Sequence, residues 1–181
     1  MLVTPTASQI RAKLCAVAFG EPLISNIYRG LVAEIIVGEA LGSKWRFCAG
    51  DWRGWDFEHA EGCRLEIKQS AARQTWTGSR TASKPIFDVR ARKGYFEGTD
   101  WIKISDPRRF ADIYVFAYHP IMDATADHCD PLQWRFHVIP TNRLPEGKTI
   151  SLARLALLIN DVPWTELETT IESLRIALQA T

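Results

Sequence analysis

Hydrophobic residues recur at helical spacing in the first part of the chain. Thr6 followed by Gln9 three positions later is typical of a capping box, which predicts a short helix ending near Phe19. Asn26 is a suitable cap for a second helix. The apolar residues of this second helix recur every four positions and are Ile27, Leu31 and Ile35. We predict that this stripe is the buried face of the second helix.

Short segments of alternating or continuous apolar residues, bounded by glycine and polar residues, predict strands farther along the chain. These segments are residues 45–48, 55–58, 63–69, 111–118 and 134–140. The segment 111–118 is the most apolar of them, which predicts a strand buried on both faces of a sheet.

The other segments have weaker or helical patterns. Residues 70–109 are polar, basic and rich in glycine, serine and threonine, and we interpret them as a long functional loop with some strand or helix inside it. Two helices are predicted at about 151–160 and 163–179, with Asp161 and Pro163 placed to start the second. The order of elements predicts an α/β fold in which the whole chain forms one domain, with a single mixed central β-sheet flanked by helices.

Composition excludes several classes of protein. The chain has 181 residues, of which 46% are hydrophobic and 24% charged, and this balance excludes a disordered protein. No apolar run approaches the roughly 18 residues that span a bilayer, and the first residues lack the pattern of a secretory signal, so no membrane association is expected. The four cysteines include no CxxC pair, which favours reduced thiols and a cytoplasmic location.

Charge is distributed unevenly along the chain. The net charge is +1, yet residues 64–109 alone carry eleven basic and five acidic side chains, which is a local net charge of +6. A local basic zone of this kind is what contact with phosphates requires. A solvated basic loop remains the alternative interpretation.

Candidate chemistry lies in residues 54–71. If the two strands of this segment form a hairpin centred on Glu61, the numbers of paired residues add up to 122. Asp56 then lies opposite Glu66, and Lys68 projects from the same face as Glu66 because alternate residues of a strand share a face.

Two facing carboxylates repel each other unless a positive charge lies between them. A divalent cation with oxygen ligands, Mg²⁺ above all, supplies that charge. A water on the metal could attack a phosphodiester, while Lys68 orients or helps to deprotonate that water. From spacing alone, the alternative stays open that these three side chains are the solvated face of a hairpin.

Asp56, followed on the next strand by Glu66, Ile67 and Lys68, resembles the motif of the PD-(D/E)XK nuclease superfamily. The resemblance implies the restriction-endonuclease-like fold. The core of that family runs helix, three strands, helix and strand, and this order covers about residues 26–118 here. Two features depart from the pattern: a Gly-Trp pair replaces the proline that names the motif, and the helix expected after the third strand is not evident.

The resemblance also implies the roles of individual residues. The implied catalytic residues are Asp56, Glu66, Lys68 and Gln69, the last because a glutamine follows the lysine in many members. The implied cofactor is Mg²⁺, with Mn²⁺ as a substitute. The implied metal-site residues are Asp56, Glu66, Ile67 and Glu34.

Glu34 lies in the predicted second helix, where the family often has a glutamate facing the metal. Glu39 is five residues farther along and about 140° around the helix, so the two cannot address one site. We expect Glu34 to be a third carboxylate of the metal site. The alternative is a surface charge at the edge of the buried stripe.

Basic residues of the segment 70–109 are the candidates for contact with nucleic acid. They are Arg73, Arg80, Lys84, Arg90, Arg92 and Lys93. Aromatic residues are interleaved with them and could stack on exposed bases. Of these aromatics, we expect Phe87 and Trp101 to pack in the core.

The sequence therefore predicts a Mg²⁺-dependent endonuclease that hydrolyses phosphodiester bonds in DNA, with RNA open as an alternative substrate and a homodimer as a possible assembly. A second hypothesis is a catalytically inactive nucleic-acid-binding or scaffold protein with the same fold. A third is an unrelated α/β interaction domain, in which the two acids would lie too far apart to share an ion. The four histidines are dispersed and do not match a zinc site.

Overall fold

The computed structural model describes residues 4–48, 53–76 and 82–180. Within these ranges the chain forms four α-helices and ten short β-strands. The helices are α1 (Ala7–Phe19), α2 (Asn26–Ala40), α3 (Leu152–Ala156) and α4 (Leu167–Gln179). The strands are β1 (Trp45–Phe47), β2 (Phe57–His59), β3 (Arg64–Ala71), β4 (Ile86–Asp88), β5 (Arg92–Glu97), β6 (Asp100–Arg108), β7 (Ile113–His119), β8 (Arg135–Pro140), β9 (Thr149–Ser151) and β10 (Val162–Pro163).

Six of the strands form the central sheet, in the order β1-β2-β3-β7-β8-β10. The long central strands β3 and β7 run parallel, and the neighbouring pairs are antiparallel. Two separate ribbons are formed by β4 with β9 and by β5 with β6. The fold is therefore mixed α/β with one mixed central sheet, as the sequence predicted.

The sheet separates two apolar layers. One layer contains Leu65, Ile67 and Val115 from the central strands and packs against α2 and α4. The other contains Tyr114 and Phe116 of β7 together with residues of the two ribbons and α3. Strand β7 contributes to both layers and is almost completely buried, which confirms the prediction for residues 111–118.

Helix α1 begins as predicted, with Thr6 and Gln9 forming a reciprocal capping box. The predicted buried face of α2 is wrong. Ile27 is 84% exposed, and Leu31 and Ile35 are also exposed. The residues of α2 that pack in the core are Val32, Ala33, Ile36 and Val37. Helix α2 has apolar residues on two faces, and spacing alone does not tell which face meets the sheet.

Residues 70–109 contain strand structure, as the prediction allowed, but more of it than a long loop implies. The described part of this segment contains β4 and a hairpin formed by β5 and β6, and it contains no helix. Some of its aromatic residues pack on the ribbon side of the sheet: Phe87 is buried there, and Tyr95 lies against Phe110 with ring centroids 4.9 Å apart. These long-range contacts give strand structure to a segment whose local pattern is mainly polar.

The last part of the chain differs from the predicted pair of helices. Helix α3 is only one turn long, and Pro163 lies in β10, paired with Arg135 of β8, instead of starting a helix. A 3₁₀ turn over Trp164–Glu166 leads into α4, whose Leu167 and Ile171 are buried in the core. Among the described residues, none of the helices has the length and apolar character needed to cross a membrane.

Two leucines of the α3 region offer a matched test of this packing. Leu155 is completely buried, whereas Leu157 is 81% exposed. Leu155→Ala should lower the free energy of unfolding by about 2–5 kcal/mol, because it removes buried methyl groups and leaves a cavity. Leu157→Ala should change it by less than about 0.5 kcal/mol. Urea unfolding of the two variants measures both effects, and equal losses would contradict the position of α3.

Candidate active site

The hairpin of β2 and β3 has the register that the sequence predicted. Phe57 pairs with Leu65 and Glu58 with Arg64, and Gly62 adopts a φ of 86° in the turn between the strands. The left-handed region that this φ occupies suits glycine, which has no Cβ to clash. The register brings the segment just before β2 alongside the middle of β3.

Asp56 lies immediately before β2, and its neighbours hold it there from both sides of the sheet. Trp55 is buried on the ribbon side, 5.6 Å from the ring of Tyr95, whereas Phe57 is buried on the side of α2. The backbone N–H of Asp56 donates to the carbonyl oxygen of Leu65 at 2.9 Å. Two flanking aromatic residues in opposite layers therefore hold Asp56 at the end of β2, beside β3.

Strand β2 ends its pairing at Phe57, so within the described ranges the rest of that side of β3 lacks a strand partner. The Asp56 carboxylate takes this place, since its Oδ2 accepts a hydrogen bond of 2.6 Å from the backbone N–H of Ile67. Burial raises the pKa of Asp56 well above its usual value, and the charges of Glu66 and Glu34 raise it further. The Ile67 hydrogen bond and the charge of Lys68 oppose this rise without cancelling it.

Glu66 and Lys68 project from β3 toward the ribbons, on the face opposite Leu65 and Ile67. Their side chains are only 13% and 23% exposed, and Lys68 Nζ donates to Glu66 Oε1. A single lysine thus provides the nearest positive charge for a group of acids. Asp56 and Glu66 both line the same cleft. That they hold one metal ion together stays a prediction.

Glu34 approaches the same region from α2. Burial raises the pKa of Glu34, the charge of Glu66 raises it further, and Lys68 lowers it. Helix α2 crosses the hairpin closely because Gly38 faces the ring of Phe57, where an added Cβ would lie 2.9 Å from that ring. Because Glu34 lies one turn before Gly38 on α2, this close contact places it near the start of β2.

The residues present are chemically suited to a divalent cation. Asp56, Glu66 and Glu34 each bear oxygen ligands that Mg²⁺ prefers, and a cation would relieve the repulsion that raises the pKa of Asp56. Ile67 can contribute only its main chain. Within the described residues, however, no three histidine, cysteine, aspartate or glutamate side chains converge closely enough to form a complete cage. The acids interact electrostatically, but they do not form a complete set of metal ligands.

Gln69 is placed away from this cleft. It lies on the α2 side of β3, where its Oε1 accepts from Nε of Arg29 at 2.6 Å and its amide donates to Asn26 at 3.2 Å. Arg29 also donates to Gln74 at 2.6 Å, and burial lowers the pKa of Arg29 to about 10. The placement gives Gln69 a structural partner on α2 and no contact with the three acids.

The cleft above Glu66 and Lys68 has a volume of about 230 Å³. Its walls bring together the three residues of the predicted motif and part of the predicted basic set: Asp56, Glu66, Lys68, Arg90 and Arg92. Asp88 holds the two arginines, with its Oδ1 2.9 Å from Nε of Arg90 and its Oδ2 3.3 Å from Arg92.

The hairpin of β5 and β6 forms another wall of the cleft. Its Trp101 lies across Gly94, where an added Cβ would come within 2.7 Å of the indole. Trp101 is 52% exposed, so the expectation that it packs in the core is wrong. Phe87 is 1% exposed, and the same expectation for it is confirmed.

The other predicted nucleic-acid contacts are scattered. Arg73 donates through Nη1 to the backbone carbonyl of Asp123, which turns it toward a different loop. Lys84 and Lys93 are exposed but do not line the cleft. Arg80 lies outside the described residues.

Tyr114 is a cleft residue that the sequence analysis missed. It is the register partner of Glu66 across the parallel pair of β3 and β7. Burial raises the pKa of Tyr114, and the charge of Glu66 raises it further, so the phenol is neutral and can act as a hydrogen-bond donor. The only signal in the sequence was its position in the most apolar strand, and the pairing of β7 with β3 is not local information.

A larger cavity of about 520 Å³ lies at the other end of the β2–β3 hairpin. Its charged residues compensate one another, since Arg175 is paired with both Glu61 and Glu172. The smaller cleft is the better candidate site because it contains the buried Asp56, whose pKa is raised by burial and by two neighbouring acids.

Comparison with known proteins adds no assignment, because no family model and no curated protein matches the chain. The resemblance to the PD-(D/E)XK superfamily therefore depends on the residues and their arrangement alone.

Replacing Asp56 tests the electrostatics of the site. When folding raises the pKa of a carboxyl group, the protein loses stability as the pH increases. The loss occurs between the ordinary pKa of that group, about 3.9, and the raised pKa. Asp56→Asn removes that loss while its amide oxygen can still accept from Ile67. We expect the variant to be more stable than the unmodified chain at neutral pH and the difference to disappear in acid. Thermal unfolding across a pH series measures this difference.

Asp161→Asn is the matched control with the opposite sign. The hydrogen bond and charge of Arg135 hold the pKa of Asp161 below its usual value despite partial burial. Its replacement should therefore reduce stability at neutral pH and have little effect in acid. An Asp56→Asn protein that is less stable at neutral pH would contradict the shared field of acids.

Proposed function

We propose that the chain is a divalent-metal-dependent endonuclease that hydrolyses phosphodiester bonds in DNA. One observation carries the proposal: a buried aspartate shares an electrostatic field with two glutamates beside a single lysine, in a cleft that arginines also line. Such a field favours a cation, and the basic wall favours a polyanionic substrate. Both are requirements of a metal-dependent nuclease.

The proposed fold is the restriction-endonuclease-like one. Support comes from the order of elements, in which α2 is followed by the meander β1-β2-β3 and later by the buried strand β7 parallel to β3. The described chain departs from the family core between β3 and β7, where β4 and the β5–β6 hairpin replace the expected helix. In this proposal, the hairpin is the element that adapts the core to its substrate.

The proposed metal-site residues are those that share the field: Asp56, Glu66 and Glu34, with the main chain of Ile67. When bound, Mg²⁺ or Mn²⁺ would supply an activated water and offset charge on the scissile phosphate. Asp56 must release its proton for the site to bind a cation, because only the ionised carboxylate attracts one. Its raised pKa therefore makes cation binding stronger as the pH increases.

Lys68 is proposed to contact the substrate phosphate and the attacking water. Its ammonium is half-buried and paired with Glu66, so it is held at the floor of the cleft. From there, Nζ can donate a hydrogen bond to a phosphoryl oxygen or position the attacking water. Tyr114 offers a second, neutral donor beside Glu66.

The proposed substrate surface is the wall formed by Arg90, Arg92 and Trp101. The two arginines are suited to phosphate oxygens because a guanidinium presents a planar fork of donors. The exposed indole of Trp101, supported by the ring of Phe96 at 5.0 Å, can stack on a base. The preference for DNA over RNA is part of the proposal, and RNA is an arm of the assay below.

A second candidate function is a nucleic-acid-binding protein of the same fold without catalysis. The observation that favours it is the lack of a complete cage of ligands among the described residues, together with the ion pair that occupies Lys68 and Glu66. It differs from the first proposal in one outcome, since such a protein would bind nucleic acid without cleaving it in the presence of metal.

Substitutions of the acids and the lysine separate metal binding from catalysis. Asp56→Asn and Glu66→Gln should each abolish cleavage and weaken Mn²⁺ binding, because they remove ligand charge. Lys68→Ala should retain Mn²⁺ binding and reduce cleavage by about 10²–10⁴-fold, as loss of a general acid–base or positioning group does. Calorimetry with Mn²⁺, alongside assays on supercoiled, linear and single-stranded DNA and on RNA with Mg²⁺ or EDTA, measures these effects.

Glu58→Gln is the matched control, since Glu58 lies on β2 but faces Arg46 and Arg64. It should leave both metal binding and cleavage unchanged. Metal-independent cleavage, or full activity of the Asp56 and Glu66 variants, would overturn the proposed nuclease. Binding of DNA with no cleavage under any metal condition would favour the second function.

Arginines on the cleft wall should determine how strongly DNA binding depends on salt. Each phosphate contact contributes roughly 0.9 to the slope of log affinity against log salt concentration. Arg90→Gln and Arg92→Gln should each reduce that slope by about one contact and weaken binding to unrelated sequences equally. Arg154→Gln, at an exposed position on α3, is the control and should leave the slope unchanged. Unchanged slopes in all three variants would exclude the proposed substrate wall.

A further inference from the structure

Helix α1 is unusual because none of its thirteen residues is buried. Within the described chain it makes no extensive contact with any other helix or strand, apart from the approach of Phe19 to Tyr28 at 5.6 Å. Isolated helices shorter than about 12–15 residues are only marginally stable in water. A helix of this length that is held by its own domain at one end alone needs another surface to pack against.

The sequence of α1 is that of a packing helix. Ile10, Leu14 and Val17 recur at spacings of four and three residues, which places them on one face. They are 43%, 62% and 86% exposed. An apolar stripe of this kind on a surface helix is typical of a face that meets another protein surface.

Helix α2 carries a second unpartnered stripe. Its core is on one face, and the exposed residues Ile27, Leu31 and Ile35 form the other. Beside this outer stripe lies a groove of about 350 Å³, lined by Phe19, Leu31, Val32, Ile35, Ile36 and Cys129. Almost all of these residues are apolar, and the groove is open to solvent along α2.

We propose that the outer groove of α2 binds helix α1 of a second copy of this chain. In a two-fold dimer, the stripe of Ile10, Leu14 and Val17 from each copy lies in the groove of the other, so the contact forms twice. The inference is independent of the cleft and of the proposed nuclease activity. It assigns a partner to both stripes that the domain leaves exposed.

Charge favours a second copy over an unrelated partner. Helix α1 carries Arg11 and Lys13 and no acidic residue. The charged residues of α2 other than the buried Arg29 are both glutamates, Glu34 and Glu39. Glu34 faces the acids of the cleft and takes no part in this contact, but Glu39 is exposed four residues after Ile35. Packing of α1 on α2 across the two-fold axis therefore brings Arg11 and Lys13 toward an acidic residue.

Area also favours a dimer. The two stripes with Phe19 and Tyr28 present eight large apolar or aromatic side chains per copy, each at least 38% exposed. A standard stable interface takes about 800 Å² from each partner, which requires an extended set of side chains of this kind. A one-sided partner would cover the groove and leave α1 exposed, or cover α1 and leave the groove. The reciprocal contact covers both with one interface.

Two exposed positions with opposite charges test the pairing. Sedimentation equilibrium of the 181-residue chain should give the mass of two chains. Leu14→Lys and Ile35→Glu should each give the mass of one chain, because each places an unpaired charge in both contacts of the dimer. Leu157→Glu is the matched control at an exposed leucine away from the stripes, and it should remain dimeric. Circular dichroism checks that each variant keeps its helices.

An equimolar mixture of Leu14→Lys and Ile35→Glu gives the decisive result. A heterodimer would have one unmodified contact and one contact in which lysine meets glutamate, so the mixture should regain the mass of two chains. A monomeric unmodified chain at micromolar concentrations would overturn the proposal. So would dimers that persist in both single variants, or a mixture that stays monomeric, since a contact between two α1 helices would not be rescued in this way.

Discussion

Repulsion among acids beside the central strand β3 is the constraint on which the arrangement of the site depends. Asp56 is buried with Glu66 and Glu34 nearby, and Lys68 is the positive charge that acts on all three. A folded chain keeps such a group only if its surroundings impose it, because each acid disfavours the ionised form of the others. The surroundings here are apolar: Trp55 is buried in one layer of the molecule, and Phe57 is buried in the other.

The parallel pair of β3 and β7 makes that constraint tolerable. Strand β7 is buried on both faces, so it fixes β3 firmly. In the part of the chain that the structure describes, the opposite side of β3 has no strand partner beyond its short pairing with β2. This side provides the N–H of Ile67 for Asp56. The ribbon face of β3 provides the cleft. Strand β3 is thus fixed by β7 on one side and only partly paired on the other. This arrangement can hold the acids in place while leaving them open to solvent.

Local patterns predicted the hairpin but not its surroundings. The register of β2 and β3 followed from alternation and a turn at Gly62, both of which are readable over a few residues. The buried face of α2 did not follow, because Ile27 and Ile36 belong to equally regular stripes and only the sheet distinguishes them. The role of Tyr114 beside Glu66 depends on a parallel pairing between distant segments. The hairpin of β5 and β6 is stabilised by aromatic contacts with the sheet that its polar local sequence does not reveal.

The network around Arg29 has a consequence for how α2 is attached. This buried guanidinium donates to the amide oxygens of Asn26, Gln69 and Gln74, and so connects α2 with β3 and the segment after it. Amides do not titrate, and the guanidinium keeps its proton well above neutral pH even with its pKa lowered to about 10. Helix α2, which bears Glu34, is therefore attached by groups whose protonation does not change near neutral pH, while the acids beside it gain and lose protons. Protonation can change the field of the site without loosening the scaffold that holds it.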